Sequence, residues 1–267
     1  MEGLEATPPA PVRIASALSM RQLLALALAV LAVSHAAASD YTVSPLRLDF
    51  DRDTKSGVVT LANVGAGRIN FQIKAMEWAQ DAEGKDRHTE TNELIFFPKI
   101  LALEPNEERV IRVGIKSLPV ATERAFRLFI EKIPEPNPMP LPSGMNVAIN
   151  VRFALPVFVE PAVHQAKGEI VSAALTQGRF LLVLQNTGNE HFRIDGEGIG
   201  LTGRDARGAE VLTQTLNDRY LLAGTTKRYT ASVPKQECMQ LATLEVTVKT
   251  EQFTLSRKLD VNRTSCE

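Results

Sequence analysis

The chain is poor in the residues from which metal and catalytic centres are usually built. It has two cysteines and four histidines in 267 residues, which excludes a four-cysteine zinc site and leaves no basis for a histidine-based metal centre. The same cysteine count excludes the disulfide-dense scaffolds of small secreted domains. No Gly-x-Ser-x-Gly elbow, phosphate-binding glycine loop or His-Glu-x-x-His helix occurs, which removes the usual hydrolase, nucleotide and metalloprotease readings. An excess of one charge is missing too: 30 Lys and Arg face 31 Asp and Glu. Residues 1–39 hold two of each sign, leaving 28 against 29. That balance gives no reason to expect nucleic acid or an anionic membrane surface as a partner. Beyond residue 39 there is no apolar run of membrane length, no long amphipathic helix and no solenoid-type repeat. The expectation is a binding protein, not an enzyme, with no cofactor, no metal and no stable membrane insertion.

The longest apolar run is Leu23–Val33, eleven residues, too short to span a bilayer. Met20-Arg21 gives it a positive start, and Ala36-Ala37-Ala38 offers small residues for cleavage. Residues 1–39 therefore read as a leader, with a secretory signal peptide over about 20–38 that is removed after Ala38 or Ser39. The remaining 228 residues exceed one immunoglobulin-size sandwich of about 100 residues and suit two. Short apolar or alternating runs separated by turn residues fill them: Tyr41–Phe50, Gly57–Ala62, Ile69–Trp78, Leu94–Leu103, Arg109–Ile115, Ala125–Ile133 and Met145–Val159. A second series runs from Glu169–Leu175 to Phe253–Val261. This is the strand density of sandwiches, and the break between them is expected near Glu160-Pro161-Ala162. The polar stretch Asp81–Glu93, which holds His88, reads as a loop; Trp78 reads as core or its rim. Glu160 reads either as a surface carboxylate or as a partner for a base across the junction.

The seventh run carries the functional argument. It follows a loop in which Pro134, Pro136, Pro138, Pro140 and Pro142 alternate with other residues, which keeps that loop out of a sheet interior. In Met145–Phe153 every odd position is apolar (Met145, Val147, Ile149, Val151 and Phe153), while Asn146, Asn150 and Arg152 are polar. A period of two puts the apolar set on one face. That face either packs into the domain's own core or, on an edge strand, is offered to another chain by strand addition.

Several segments in order resemble those of periplasmic pilus (fimbrial) assembly chaperones. They are Val43-Ser44-Pro45-Leu46-Arg47-Leu48, Leu61-Ala62-Asn63, Pro98 to Pro105 followed by Val110-Ile111-Arg112-Val113, Glu123-Arg124-Ala125-Phe126-Arg127 through Ile133-Pro134, and Val147–Pro161. The resemblance covers residues 40–161 with good specificity and 162–267 more weakly. It implies an all-β fold of two immunoglobulin-like sandwich domains, 40–161 and 162–267, in an L-shaped arrangement. It also implies a periplasmic chaperone that binds pilus subunits lacking a strand and delivers them to an outer-membrane usher. In that family the chaperone lends its G strand, here Val147, Ile149, Val151 and Phe153, and basic residues anchor the subunit's C-terminal carboxylate. Arg47 matches the first-strand anchor. The second, a lysine in the better-known branch, is replaced by Pro156, so Arg127 and Arg152 become the candidates by proximity. The wording Leu155-Pro156-Val157-Phe158 is more similar to the archaic, spore-coat-U-like branch. In an oxidising periplasm Cys238 and Cys266 are expected to form one disulfide across the C-terminal hairpin. The alternative function class is a non-catalytic immunoglobulin-like adhesion or structural module.

Overall fold

The computed structural model describes residues 41–118, 121–134 and 151–267. The expected leader and the positions of Val147 and Ile149 lie outside the described residues. No helix among those described is long and apolar enough to cross a membrane.

Among the described residues the first sandwich comprises β1 (Tyr41–Ser44), β2 (Leu48–Phe50), β3 (Ser56–Asn63), β4 (Ile69–Gln80), β5 (Asp86–Glu90), β6 (Leu94–Phe97), β7 (Ile100–Leu103), β8 (Glu108–Ile115), β9 (Arg124–Lys132) and β10 (Arg152–Val159). One sheet runs β1-β3-β8-β6; the other runs β2-β10-β9-β4-β5, with β7 also on β4. The inner faces close on Phe50, Leu61, Phe71, Leu103, Ile111, Phe126, Leu128 and Leu155, all essentially inaccessible to water. Alternation explains this packing: in β8, Ile111, Val113 and Ile115 point inward while Val110 and Arg112 face out.

Two expected strands are each divided by a proline. Tyr41–Phe50 breaks at Pro45, and its halves join different sheets, β1 on β3 and β2 parallel to β10. Leu94–Leu103 breaks at Pro98, with β6 on β8 and β7 on β4. Both prolines follow cis peptide bonds. Proline has no N–H for a ladder, so each is a natural place for a strand to leave one sheet and enter the other. The expected loop over Asp81–Glu93 instead contains β5, paired with the end of β4. Every residue of β5 is exposed, so it carries no hydrophobic alternation from which to read it.

The second sandwich comprises β11 (Gly168–Thr176), β12 (Arg179–Asn186), β13 (Phe192–Arg204), β14 (Glu210–Leu216), β15 (Tyr220–Leu221), β16 (Thr226–Ser232), β17 (Thr243–Thr250) and β18 (Thr254–Asp260), with a one-turn helix α1 (Lys235–Cys238). Its sheets run β11-β12-β16 and β14-β13-β17-β18, with β15 on β13. Its separate core includes Phe180, Leu182, Phe192, Leu201, Leu244 and Val246. Cys238 and Cys266 are bonded, with Cα atoms 5.7 Å apart, and both are buried in that core. The bond ties α1 to the C-terminus across the β17–β18 hairpin, as expected.

Candidate functional site

The site is organised by register on the outer face of the β2-β10-β9-β4-β5 sheet. Residues facing one another across strands lie side by side on the same face. One row contains Phe158 with Ala125 and Asp49 as its paired neighbours, and Trp78 opposite His88 continues it. The next row contains Met76, Arg127 and Pro156. Because Leu48 pairs with Val157, Arg47 falls beside Pro156 when the register is continued one residue back. Two arginines therefore flank the proline that stands where a lysine was expected.

The first of these rows is closed by the second sandwich. Trp78, Ala125 and Phe158 form a buried cluster with Tyr220 and Leu222. Trp78 meets Tyr220 edge-on at 5.6 Å and Phe158 at 5.9 Å between centroids. The His191 ring stacks on Phe158 at 3.7 Å, nearly parallel. Its Nδ1 lies 2.7 Å from Glu123 Oε2, and its backbone N–H donates to Glu123 Oε1 at 3.1 Å. Those two side chains are 8% and 3% exposed, so the polar groups of this contact satisfy each other where water does not reach. Gln80, at the tip of β4, adds a second polar fastening. Its Nε2 donates to the Tyr220 carbonyl at 3.1 Å, and Leu222 N–H donates to its Oε1 at 3.0 Å. The side-chain amide thus pairs with second-sandwich backbone as a neighbouring strand would. The turn that follows has Asp81 Oδ1 accepting N–H groups from Glu83 and Lys85. Gly84, at φ +75°, lies so close to Lys227 that an added Cβ would clash.

The three arginines differ in environment. Arg47 Nε donates to both oxygens of Asp49, at 2.7 and 2.8 Å, and its guanidinium lies 5.4 Å from the Phe158 ring. Burial pulls its pKa down, but the Asp49 hydrogen bond and charge more than reverse this, and the net shift is upward. Arg127 stacks over Trp78 at 3.6 Å, and its Nη1 donates to the Ala154 carbonyl at 3.2 Å. No acidic side chain among the described residues is within ion-pair distance of it, and burial pushes its pKa down. Arg152 is more exposed, 3.4 Å from Glu131 and over the Phe129 ring at 4.5 Å. It stands two rows from Arg127, so the geometry brings Arg47 and Arg127 together and leaves Arg152 apart.

The apolar residues from Val151 through β10 also differ in environment. Leu155, Val157 and Val159 are fully buried in the sandwich's own core, Phe153 is half-buried against it, and Val151 is 43% exposed. β9 pairs with β10 along its whole length, but β2 covers only Val157–Val159. From Arg152 to Pro156 one edge of β10 has no strand partner among the described residues. Pro156 sits where that coverage ends, a position a residue without an N–H tolerates.

Sequence reasoning did not find Gln80, Glu123, His191 or Tyr220. Each is a polar or half-polar residue whose role arises only when the two sandwiches meet. Glu160 was left open; its nearest base is His164, at 3.6 Å and four residues on. Burial raises the Glu160 pKa, a hydrogen bond to Glu190 raises that of His164, and Glu160 N–H donates to the Phe50 carbonyl.

Residues 41–165 match the family described as pili and flagellar-assembly chaperone, PapD N-terminal domain. A search of curated proteins finds no match. Among solved structures, the complex of the CsuC chaperone with the CsuE tip adhesion subunit from archaic Csu pili of Acinetobacter baumannii aligns with TM-score 0.56 and 18% identity, covering 82% of this chain and 97% of the other. The YadV chaperone aligns with TM-score 0.54 and 13% identity, over 83% of this chain and 100% of the other. The Salmonella enterica SafA pilin–SafB chaperone complex gives 0.51 and 13%, over 84% and 99%. At these identities the structural likeness carries the fold: two β-sandwiches arranged as in chaperones of this class.

Proposed function

We propose, from the premise that residues 41–165 belong to the pili and flagellar-assembly chaperone family, that this protein captures pilus subunits in the periplasm by strand donation. Residues 40–161 form the capturing domain and 162–267 the second domain. The strand that enters β10 lends Val147, Ile149 and Val151 to a subunit whose sandwich lacks a strand. Phe153 marks the point where the strand returns to its own core. The chaperone then passes the subunit to an outer-membrane usher.

The observation that carries this reading is the half-covered edge of β10. Its C-terminal half is locked between β9 and β2, while its N-terminal half has one edge without a strand partner among the described residues and follows the exposed Val151. An apolar edge left open is an aggregation hazard unless a partner covers it, and added main-chain pairing is the mode such an edge supports. Three buried aliphatic side chains contribute roughly 4.5–9 kcal/mol before the costs of association are deducted. Arg47 and Arg127, flanking Pro156, anchor the subunit's terminal carboxylate. The archaic branch is supported by the same proline and by the likeness to the Csu complex.

Co-expression with an incomplete-sandwich subunit tests the proposal. A soluble one-to-one complex recovered from the periplasm is the expected outcome. A subunit that aggregates equally with and without this protein would refute it.

A further inference from the structure

Among the described residues, the ion pairs that cross between the sandwiches, or fasten the linker joining them, are all made by histidine. His191 of the second sandwich meets Glu123 of the first at 2.7 Å. His164, in the linker, meets Glu190 of the second at 2.7 Å and Glu160, at the end of the first, at 3.6 Å. The pairs made by arginine and lysine stay within one sandwich, as Arg124 does with Glu77 and Glu93, and Lys227 with Asp218. Of the three histidines from residue 41 onward, His88, His164 and His191, two therefore stand at the junction. The His191 ring is enclosed by Glu123, by Phe158 of β10, on which it stacks, and by Tyr220 of β15. His164 faces Glu160 and Glu190, with Glu123 acting on it from further off. Asp49 and Asp51 add negative charge at Glu160. The nearest guanidiniums do not offset these carboxylates. Arg47 is matched by Asp49, and Arg52 lines the recess of Glu160 and His164 without an ion pair.

We propose that the junction is a pH-dependent latch: protonated His191 and His164 hold the second sandwich against the first, and their neutralisation loosens it. An imidazolium gives a carboxylate both a charge and a donor, whereas a neutral imidazole gives only one N–H. Glu123 is 3% exposed, and a buried carboxylate that loses its counter-charge is far costlier than one at the surface. Opening the junction lets water reach it, so a neutral His191 favours the opened form. The closed form thus holds the protons more tightly than the opened one. Closure is complete in acid and is lost as pH rises through the histidine range. His191 carries most of the effect, because His164 is 53% exposed. Neutral contacts persist at every pH: Glu123 N–H donates to the Asn189 carbonyl, Asn189 Nδ2 to that of Ala121 and Gln80 Nε2 to that of Tyr220. The sandwiches therefore loosen without parting. The inference goes beyond the capture reading and does not depend on it.

Trp78 is the only tryptophan and is buried against Tyr220 across this junction, so acrylamide quenching of its emission reports opening. The test titrates the protein from about pH 5 to 9, following quenching and, in parallel, the radius of gyration by small-angle scattering. Both should be lowest in acid and rise with a midpoint at about pH 6–8, where histidine titrates. Each histidine shifts the opening equilibrium by at most about tenfold per pH unit. His191→Gln keeps a donor for Glu123 but cannot titrate, so only a small step from His164 should remain. The double variant His164→Gln/His191→Gln should be flat. His88→Gln controls for direct quenching by the imidazole opposite Trp78 and should keep the transition. Constant scattering dimensions in the parent, a double variant that retains the transition, or a transition abolished by His88→Gln would each overturn the latch. Should His191→Gln fail to fold, Glu123→Gln removes the same charge pair and should flatten the curve likewise, and the scattering of the parent decides by itself. No subunit takes part, so a negative result here leaves the capture reading standing.

Discussion

Val151, just before β10, and Leu155, four residues on and within it, share the same parity, yet they should fail in opposite ways when changed. Leu155 is fully buried in the first sandwich, whereas Val151 keeps 43% of its surface in water. Truncating a buried leucine costs about 2–5 kcal/mol through lost transfer energy and the cavity left behind. Leu155→Ala should therefore lower the melting temperature markedly. At Val151 the folded monomer has little to lose, and substitution should change stability by less than about 0.5 kcal/mol, the usual range for exposed sites. Its cost appears on binding. Covering the remaining exposed part of one valine contributes about 1 kcal/mol, so Val151→Ala should weaken subunit capture roughly fivefold. Val151→Asp adds an unpaired polar group to an apolar groove, at about 1–3 kcal/mol or more. Together these give about 2–4 kcal/mol, a 30- to 1,000-fold loss. Thermal melts of the purified variants, followed by subunit binding on a sensor surface, separate the two effects. A Val151→Asp protein that melts far below the parent, or that binds as well as the parent, would refute the reasoning.

Reduction of the Cys238–Cys266 bond, which closes a loop spanning 28 positions, should remove about 3–4 kcal/mol from the second sandwich by chain entropy; denaturant titrations with and without reductant measure it. Gln80→Ala deletes two hydrogen bonds to second-sandwich backbone and should cost about 1–3 kcal/mol. Small-angle scattering should then show a wider spread of sandwich orientations, while Gln80→Glu, which keeps one acceptor, falls between. His164 has its pKa raised by the hydrogen bond to Glu190. Its contribution to stability is thus fully present below the ordinary histidine value and fades as pH rises through the raised one. The effect is small at a side chain 53% exposed, and NMR titration of the ring should show the shift vanish in Glu190→Gln.

The β class, the strand density and the disulfide were legible because they follow from alternation, turn residues and a single thiol pair. Pro45 and Pro98 were visible as well, but their role in moving a strand between sheets was not, since hydrophobic pattern does not say which neighbour a strand chooses. β5 was invisible because Asp86-Arg87-His88-Thr89-Glu90 buries nothing. For the site, parity identified the apolar face of the seventh run but not which of its residues the sandwich's own core buries. Phe153 and Val151 look alike in sequence, and only the packing separates them: Phe153 is partly buried against the core and Val151 is exposed. Arg47 was found by resemblance and Arg127 by proximity, whereas their placement on either side of Pro156 is a matter of register. Gln80, Glu123 and His191 carry no local signal, because their partners are 68 or more positions away.

Hydrogen exchange on the complex with an incomplete subunit tests strand donation most directly. If residues 147–151 pair with the subunit, their backbone amides should exchange freely in the isolated chain and become strongly protected in the complex, while β3 and β8 stay as they were. A stable complex in which these amides remain unprotected, with protection arising on another edge or face, would contradict it.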